Sequence, residues 1–125
     1  MTQTKLANRN VATIGEEIGR ELGAEMVRNF QQSFPAETKS FIIGRNIIDQ
    51  ILAQPGCVGI QLYNAINEKG EKTLVYVGID ANGDSMIEIS TVDSNGAISQ
   101  TPAIVADRVR IKTKVGADEE WYTAD

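Results

Sequence analysis

The sequence predicts an α+β protein in which two N-terminal helices pack on an antiparallel β-meander of about four to five strands. Three observations carry this. The apolar spacing follows a helical period up to Gln54 and an alternating period after Cys57. Pro55-Gly56 separates the two regimes, because proline cannot continue a helical hydrogen-bond ladder and glycine tolerates the turn that follows. The glycines of Lys69-Gly70, Asn82-Gly83 and Asn95-Gly96 then recur 13 residues apart, a spacing that suits strands joined by tight hairpins.

Residues 1–10 are polar and aperiodic, and read as a short tail; residues 11–54 form the helical part. From Val11 onward Ile14, Ile18, Leu22, Met26 and Phe30 make one i, i+4 row, with Gly15, Gly19, Gly23 and Val27 in the adjacent row. Glu17, Glu21 and Glu25 line the other flank, and Pro35 marks the end of this first helix. Each glycine inside a helix costs roughly 1 kcal/mol relative to alanine, so three in register imply compensation by close packing. A small-residue row beside a large-residue ridge lets two helices interlock at short distance. Gly15, Gly19 and Gly23 are therefore candidate self-association residues, the partner being either the second helix or the same helix of a second copy. The second helix is expected over 38–54, where Phe41, Ile42, Ile43, Ile47, Ile48, Ile51 and Leu52 cover a wide arc.

The meander, 57–115, divides into strands at about 58–67, 72–80, 85–93, 97–101 and 104–115. Asn-Gly supplies the positive φ angles of type I′ turns, which predicts that turn type at Asn82-Gly83 and Asn95-Gly96. The second strand carries Leu74, Val75, Tyr76, Val77 and Ile79 toward both faces, so both faces of the sheet centre need cover. The acidic tail, 116–125, has Trp121 and Tyr122 as its anchors.

A chain of 125 residues with 42% apolar and 23% charged residues fits one globular domain, residues 1–125, that buries a core without disulfide or metal support. A net charge of −5 argues against nucleic acid and anionic membrane, both of which reward clustered positive charge. No apolar run approaches the roughly 20 residues of a membrane span, and the first residues lack the apolar stretch of a secretory signal. The cytoplasm is the expected compartment. A lone cysteine, Cys57, agrees with reducing surroundings. The absence of histidine removes Ser-His-Asp and Cys-His nucleophile systems and His-containing zinc sites, so no catalytic residue, metal site or cofactor is assigned.

Three segments invite chemistry. Asp80-Ala81-Asn82-Gly83-Asp84 begins like a calcium loop, but Ser85 stands where glycine should and Thr91 where a carboxylate should, so a hairpin turn is the better reading. Cys57 follows a helix C-terminus, where the dipole disfavours a thiolate, and reads as structural. Strand alternation places Arg108, Arg110, Lys112 and Lys114 on one face, a stripe that suits a phosphate, a carboxylate ligand or an acidic partner peptide; the alternative is a solvated edge strand guarded by charge. Stacking aromatics are not interleaved with it, which disfavours nucleic acid further.

The run GRNIIDQILAQPGCVGIQLYNAINEKGEKTLVYVGIDANGD, Gly44 to Asp84, resembles a stretch shared by short bacterial proteins. That resemblance implies a small bacterial protein and transfers no site residues. Within it, ILAQPGCVGIQLY is similar to roadblock-type domains, in which a helix, a Pro-Gly turn and a hairpin follow in that order. Those domains return to a helix after the first strands, whereas this chain continues as a meander; the resemblance implies a dimeric scaffold. The functional expectation is a non-enzymatic, self-associating interaction module, a homo-oligomer without nucleic-acid or membrane partners. The alternatives are a small-anion binder using Arg108, Arg110, Lys112 and Lys114, or an enzyme using Cys57 or carboxylates.

Overall fold

The computed structural model describes residues 10–114 and 120–123. In chain order a 3-10 turn (Val11–Thr13) precedes α1 (Arg20–Ser33), β1 (Ser40–Ile42), α2 (Arg45–Leu52), β2 (Cys57–Ile66), β3 (Lys72–Asp80), β4 (Ser85–Met86), β5 (Glu88–Val92), β6 (Ile98–Pro102), β7 (Val105–Ala106), β8 (Arg110–Lys112) and α3 (Glu120–Thr123). The class is mixed α and β. Two compact units share these elements, with the chain crossing between them at Ile14/Gly15, Ile42/Ile43 and Val109/Arg110. No helix among the described residues is long and apolar enough to cross a membrane.

The first unit is built on the β2–β3 hairpin, paired antiparallel from Ile66↔Lys72 to Gly59↔Ile79, with an irregularity between Cys57 and Gly59. β4 and β7 share the opposite edge of β3, pairing at Gly78↔Met86 and Tyr76↔Ala106 respectively. Helix α2 rests on β2 and β3. It buries Ile51 completely, and Tyr76, Val77, Met86, Val109 and Val11 are buried in the same unit. The end of α2 is closed by its own backbone: Gln54 N–H donates to Ile51 O, Cys57 N–H donates to Gln54 O, and Gly56 takes φ 82°.

The three hairpin turns are one device used three times. In Asn67-Glu68-Lys69-Gly70-Glu71 the Asn67 side-chain oxygen accepts from the N–H groups of Lys69 and Glu71, each at 2.9 Å. Asp80 Oδ1 accepts from Asn82 and Asp84, and Asp93 Oδ1 from Asn95 and Ala97, in the same pattern. Only the glycines, Gly70, Gly83 and Gly96, have positive φ, at 80°, 88° and 81°. The expected type I′ turns are thus replaced by a tight turn closed by one left-handed glycine, because an Asx side chain bonding two and four residues ahead selects that geometry.

The meander is also divided. The expected strand at 85–93 breaks at Ile87, whose carbonyl accepts from Ala103 N–H, and β5 pairs with β6 in a separate two-stranded ribbon. The expected strand at 104–115 breaks between β7 and β8, where Arg108 adopts φ 64°. A non-glycine residue in that region cannot continue an extended strand.

The second unit contains α1, β1, β8 and α3. The first helix starts later than its spacing implies: Gly15 and Gly19 take φ 117° and 84°, and Gly19 is the N-cap of α1. A left-handed residue cannot sit inside a right-handed helix, so only Gly23 of the glycine row is helical. The second helix is shortened in the same way at its start, since Ser40–Ile42 pairs antiparallel with Arg110–Lys112 and Gly44 caps α2. Phe41, Ile42 and Ile43 are β-formers, and a strand partner outweighs their helical spacing. The helices therefore do not both precede the strands. At the far end α3 docks on α1: Tyr122 is buried, its carbonyl accepts from Arg28 Nη1 at 2.6 Å, and its hydroxyl accepts from Gln31 Nε2 at 3.1 Å.

Candidate functional site

Exposed apolar side chains are the most prominent surface feature of both units. On α1 the i, i+4 row survives as a solvent-facing ridge of Leu22, Met26 and Phe30, with the exposed Ile18 lying just ahead of the N-cap Gly19 and Phe34 following the helix, its ring centroid 5.1 Å from that of Phe30. Beside it a shallow groove of about 280 Å³ is lined by Met26, Val27, Phe30, Gln31 and Lys39. The opposite flank is closed by the chain itself, because Gly23 lies against the Trp121 ring, 3.8 Å from where its Cβ would be.

In the first unit β2 pairs with β3 and with no other strand among the described residues. Along it Leu62 is 52% exposed and Ile66 76%, and a second groove of about 400 Å³ is lined by Asn64, Ala65, Ile66, Gly70 and Lys72. On the other side of the strand the Tyr63 hydroxyl meets Ser85 Oγ in a short hydrogen bond, and Ser85 Oγ donates to Gln61 Oε1 at 2.7 Å.

The four cations of the basic stripe are not presented by one strand. Arg110 and Lys112 belong to β8 in the second unit, Lys114 follows that strand, and Arg108 lies in the first unit, outside any strand. Arg108 Nη1 reaches Glu68 Oε2 at 3.2 Å and Asp107 Oδ2 at 3.6 Å. Its own backbone hydrogen bond and then Arg108 hold the Glu68 carboxyl below its ordinary range; in return Glu68, followed by Asp107, raises the Arg108 guanidinium further. Both side chains are well exposed, so the pair is a weak surface bridge.

Asp80 spends one oxygen on its turn, as Asp93 and the uncharged Asn67 do in theirs, and that equivalence assigns the carboxylate to hairpin closure. Among the described residues no group of three His, Cys, Asp or Glu side chains could hold a metal ion. Cys57 donates its thiol to Gly59 O at 3.2 Å and packs against the open Cα of Gly78. Gln54 beside it is a buried polar residue that the linear pattern does not single out; its amide donates to Ile51 O and accepts from Ile104 N–H at 2.8 Å, tying the end of α2 to a residue 50 positions later. A contact across that separation leaves no periodic signal. Tyr76 is likewise buried, its hydroxyl donating to Asp107 O at 3.1 Å, and burial followed by the Asp107 charge raises its acid dissociation above the ordinary tyrosine range.

No family model matches this chain, and neither does any curated protein or solved structure.

Proposed function

We propose that the chain is a non-enzymatic interaction module that associates with a second copy of itself. The observation that supports it is the placement of large apolar side chains at the surface of both units, at Ile18 just before α1 and Leu22, Met26 and Phe30 on it, and on β2 at Leu62 and Ile66. Scattered exposed apolar residues are ordinary, but large apolar side chains aligned along one helix, or along one uncharged strand, mark an association surface. The lack of histidine in the sequence supports the non-enzymatic part of the reading. Light scattering coupled to size-exclusion chromatography, run over a dilution series, tests it. The expected result is a mass near twice that of the chain at the concentrated end; a monomer at every concentration overturns it.

A further inference from the structure

We infer that Asn95 is a site of spontaneous covalent modification, at which the Gly96 nitrogen displaces the Asn95 side-chain amide, and that it reacts before Asn82; this stands apart from the self-association proposed above. Asn-Gly occurs at 82–83 and 95–96 and nowhere else in the sequence. Glycine matters at the second position because no side chain obstructs its backbone nitrogen. That nitrogen loses its proton and attacks the asparagine Cγ; an N–Cγ bond forms, the Cγ–Nδ2 bond breaks and ammonia leaves, closing a cyclic imide. Water then opens the imide at either carbonyl, giving aspartate or isoaspartate.

The folded turns oppose this step in the same way at both places. Gly83 N–H donates to Asp80 O and Gly96 N–H to Asp93 O, each at 3.0 Å, so each attacking nitrogen is engaged by a carbonyl. The N–H groups of Asn82 and Asn95 are bonded to the Asp80 and Asp93 carboxylates, each at 2.9 Å. Both asparagines are exposed. Ring closure therefore waits for the turn to open, and like turns are distinguished by what stands behind them.

Behind Asn82 is the sheet. β3 pairs with β2 along its whole length, Gly78 and Met86 are buried where β3 meets β4, and Ser85 Oγ donates to Gln61 Oε1 at 2.7 Å. Behind Asn95 is the β5–β6 ribbon, which pairs with no further strand among those described and is exposed at every residue of 90–102. A two-stranded ribbon is marginal by itself, so the Asn95 turn opens more often. The product keeps the turn from closing again. A carboxylate at 95 stands beside that of Asp93 and adds a negative charge to a chain already at −5. The isoaspartate linkage also lengthens the backbone by one carbon, which moves the Gly96 and Ala97 N–H groups off Asp93, their acceptor in the intact turn.

Peptide mass spectrometry on the natural chain, sampled over days at mildly alkaline pH, tests the assignment. Both asparagines fall in one tryptic peptide, residues 73–108, and fragmentation places the mass gain at 82 or at 95. Asn95 is expected to convert roughly tenfold faster than Asn82 in the folded chain, the ratio of the two opening equilibria. In concentrated urea, where neither turn persists, the two rates are expected to become equal within about twofold. Conversion at Asn82 as fast as at Asn95 in the folded chain overturns the inference. So does a preference for Asn95 that survives unchanged in urea, because it then belongs to the neighbouring residues and not to the ribbon. An Asn95 that stays intact in the folded chain while the urea sample converts shows the turn closed, and also overturns it.

Discussion

A Cβ built on Gly78 would lie 2.8 Å from Sγ of Cys57, with Gln54 Nε2 at 3.1 Å and Ile51 Cγ2 at 3.4 Å. The sheet and the end of α2 approach each other at this point, and the missing side chain makes the approach feasible. Gly78→Ala is expected to destabilise by about 1–3 kcal/mol through overpacking, measured by urea unfolding. Adding Cys57→Ala removes the nearest atom, so the double variant should lose less than the sum of the two single losses.

The two glycines at the start of α1 and the one inside it respond oppositely. Gly23 has ordinary φ and open contact distance to Trp121, so Gly23→Ala is expected to stabilise by up to about 1 kcal/mol through helix propensity. Gly19 sits at φ 84°, where an L side chain is strained, so Gly19→Ala is expected to destabilise by about 1–2 kcal/mol. Thermal unfolding of the two variants should move in opposite directions.

Asp80 closes its turn through hydrogen bonds that an amide supplies equally well, as Asn67 does at the preceding hairpin. Asp80→Asn is expected to leave the melting temperature unchanged, whereas Asp80→Ala costs about 1 kcal/mol for the lost acceptor. Calcium added to the natural chain should not raise its melting temperature.

Stability should fall at alkaline pH through Tyr76. Its dissociation is raised above the ordinary value of 10.0 in the folded chain, so the unfolded chain releases the proton first; the contribution is complete below that value and is lost as pH rises toward the folded value. Tyr76→Phe should flatten this alkaline limb. Glu68 acts with the opposite sign: lowered below 4.5, its contribution is present above that value and disappears as pH falls through the folded one, and Glu68→Gln should remove it. Denaturation midpoints over a pH series measure both.

The β5–β6 ribbon pairs with no further strand among those described, and Val92 and Ile98, opposite each other on it, are exposed. A two-stranded ribbon of this kind is marginal by itself. Its amides are expected to exchange faster than those of β3, and limited proteolysis should cut first between residues 88 and 102.

Local chemistry by itself determined the mixed α and β class, the end of α1 before Pro35, the stop of α2 at Pro55-Gly56, and the hairpin positions at Gly70, Gly83 and Gly96. Each depends on a residue that constrains its own backbone or that of its immediate neighbours. Tertiary structure decided the rest. Phe41 and Ile42 fit a helix face by spacing and became a strand because β8 pairs with them. The glycines at 15 and 19 fit a helical row and instead break it, since the same residue serves close packing or left-handed geometry and spacing does not distinguish the two. Arg108, Arg110, Lys112 and Lys114 alternate as a strand face would, but the turn at Arg108 and its bond to Glu68, 40 positions earlier, assign them to different units. The pairing of β7 with β3 belongs to the same class of fact, since pairing between distant segments is what a linear pattern does not carry.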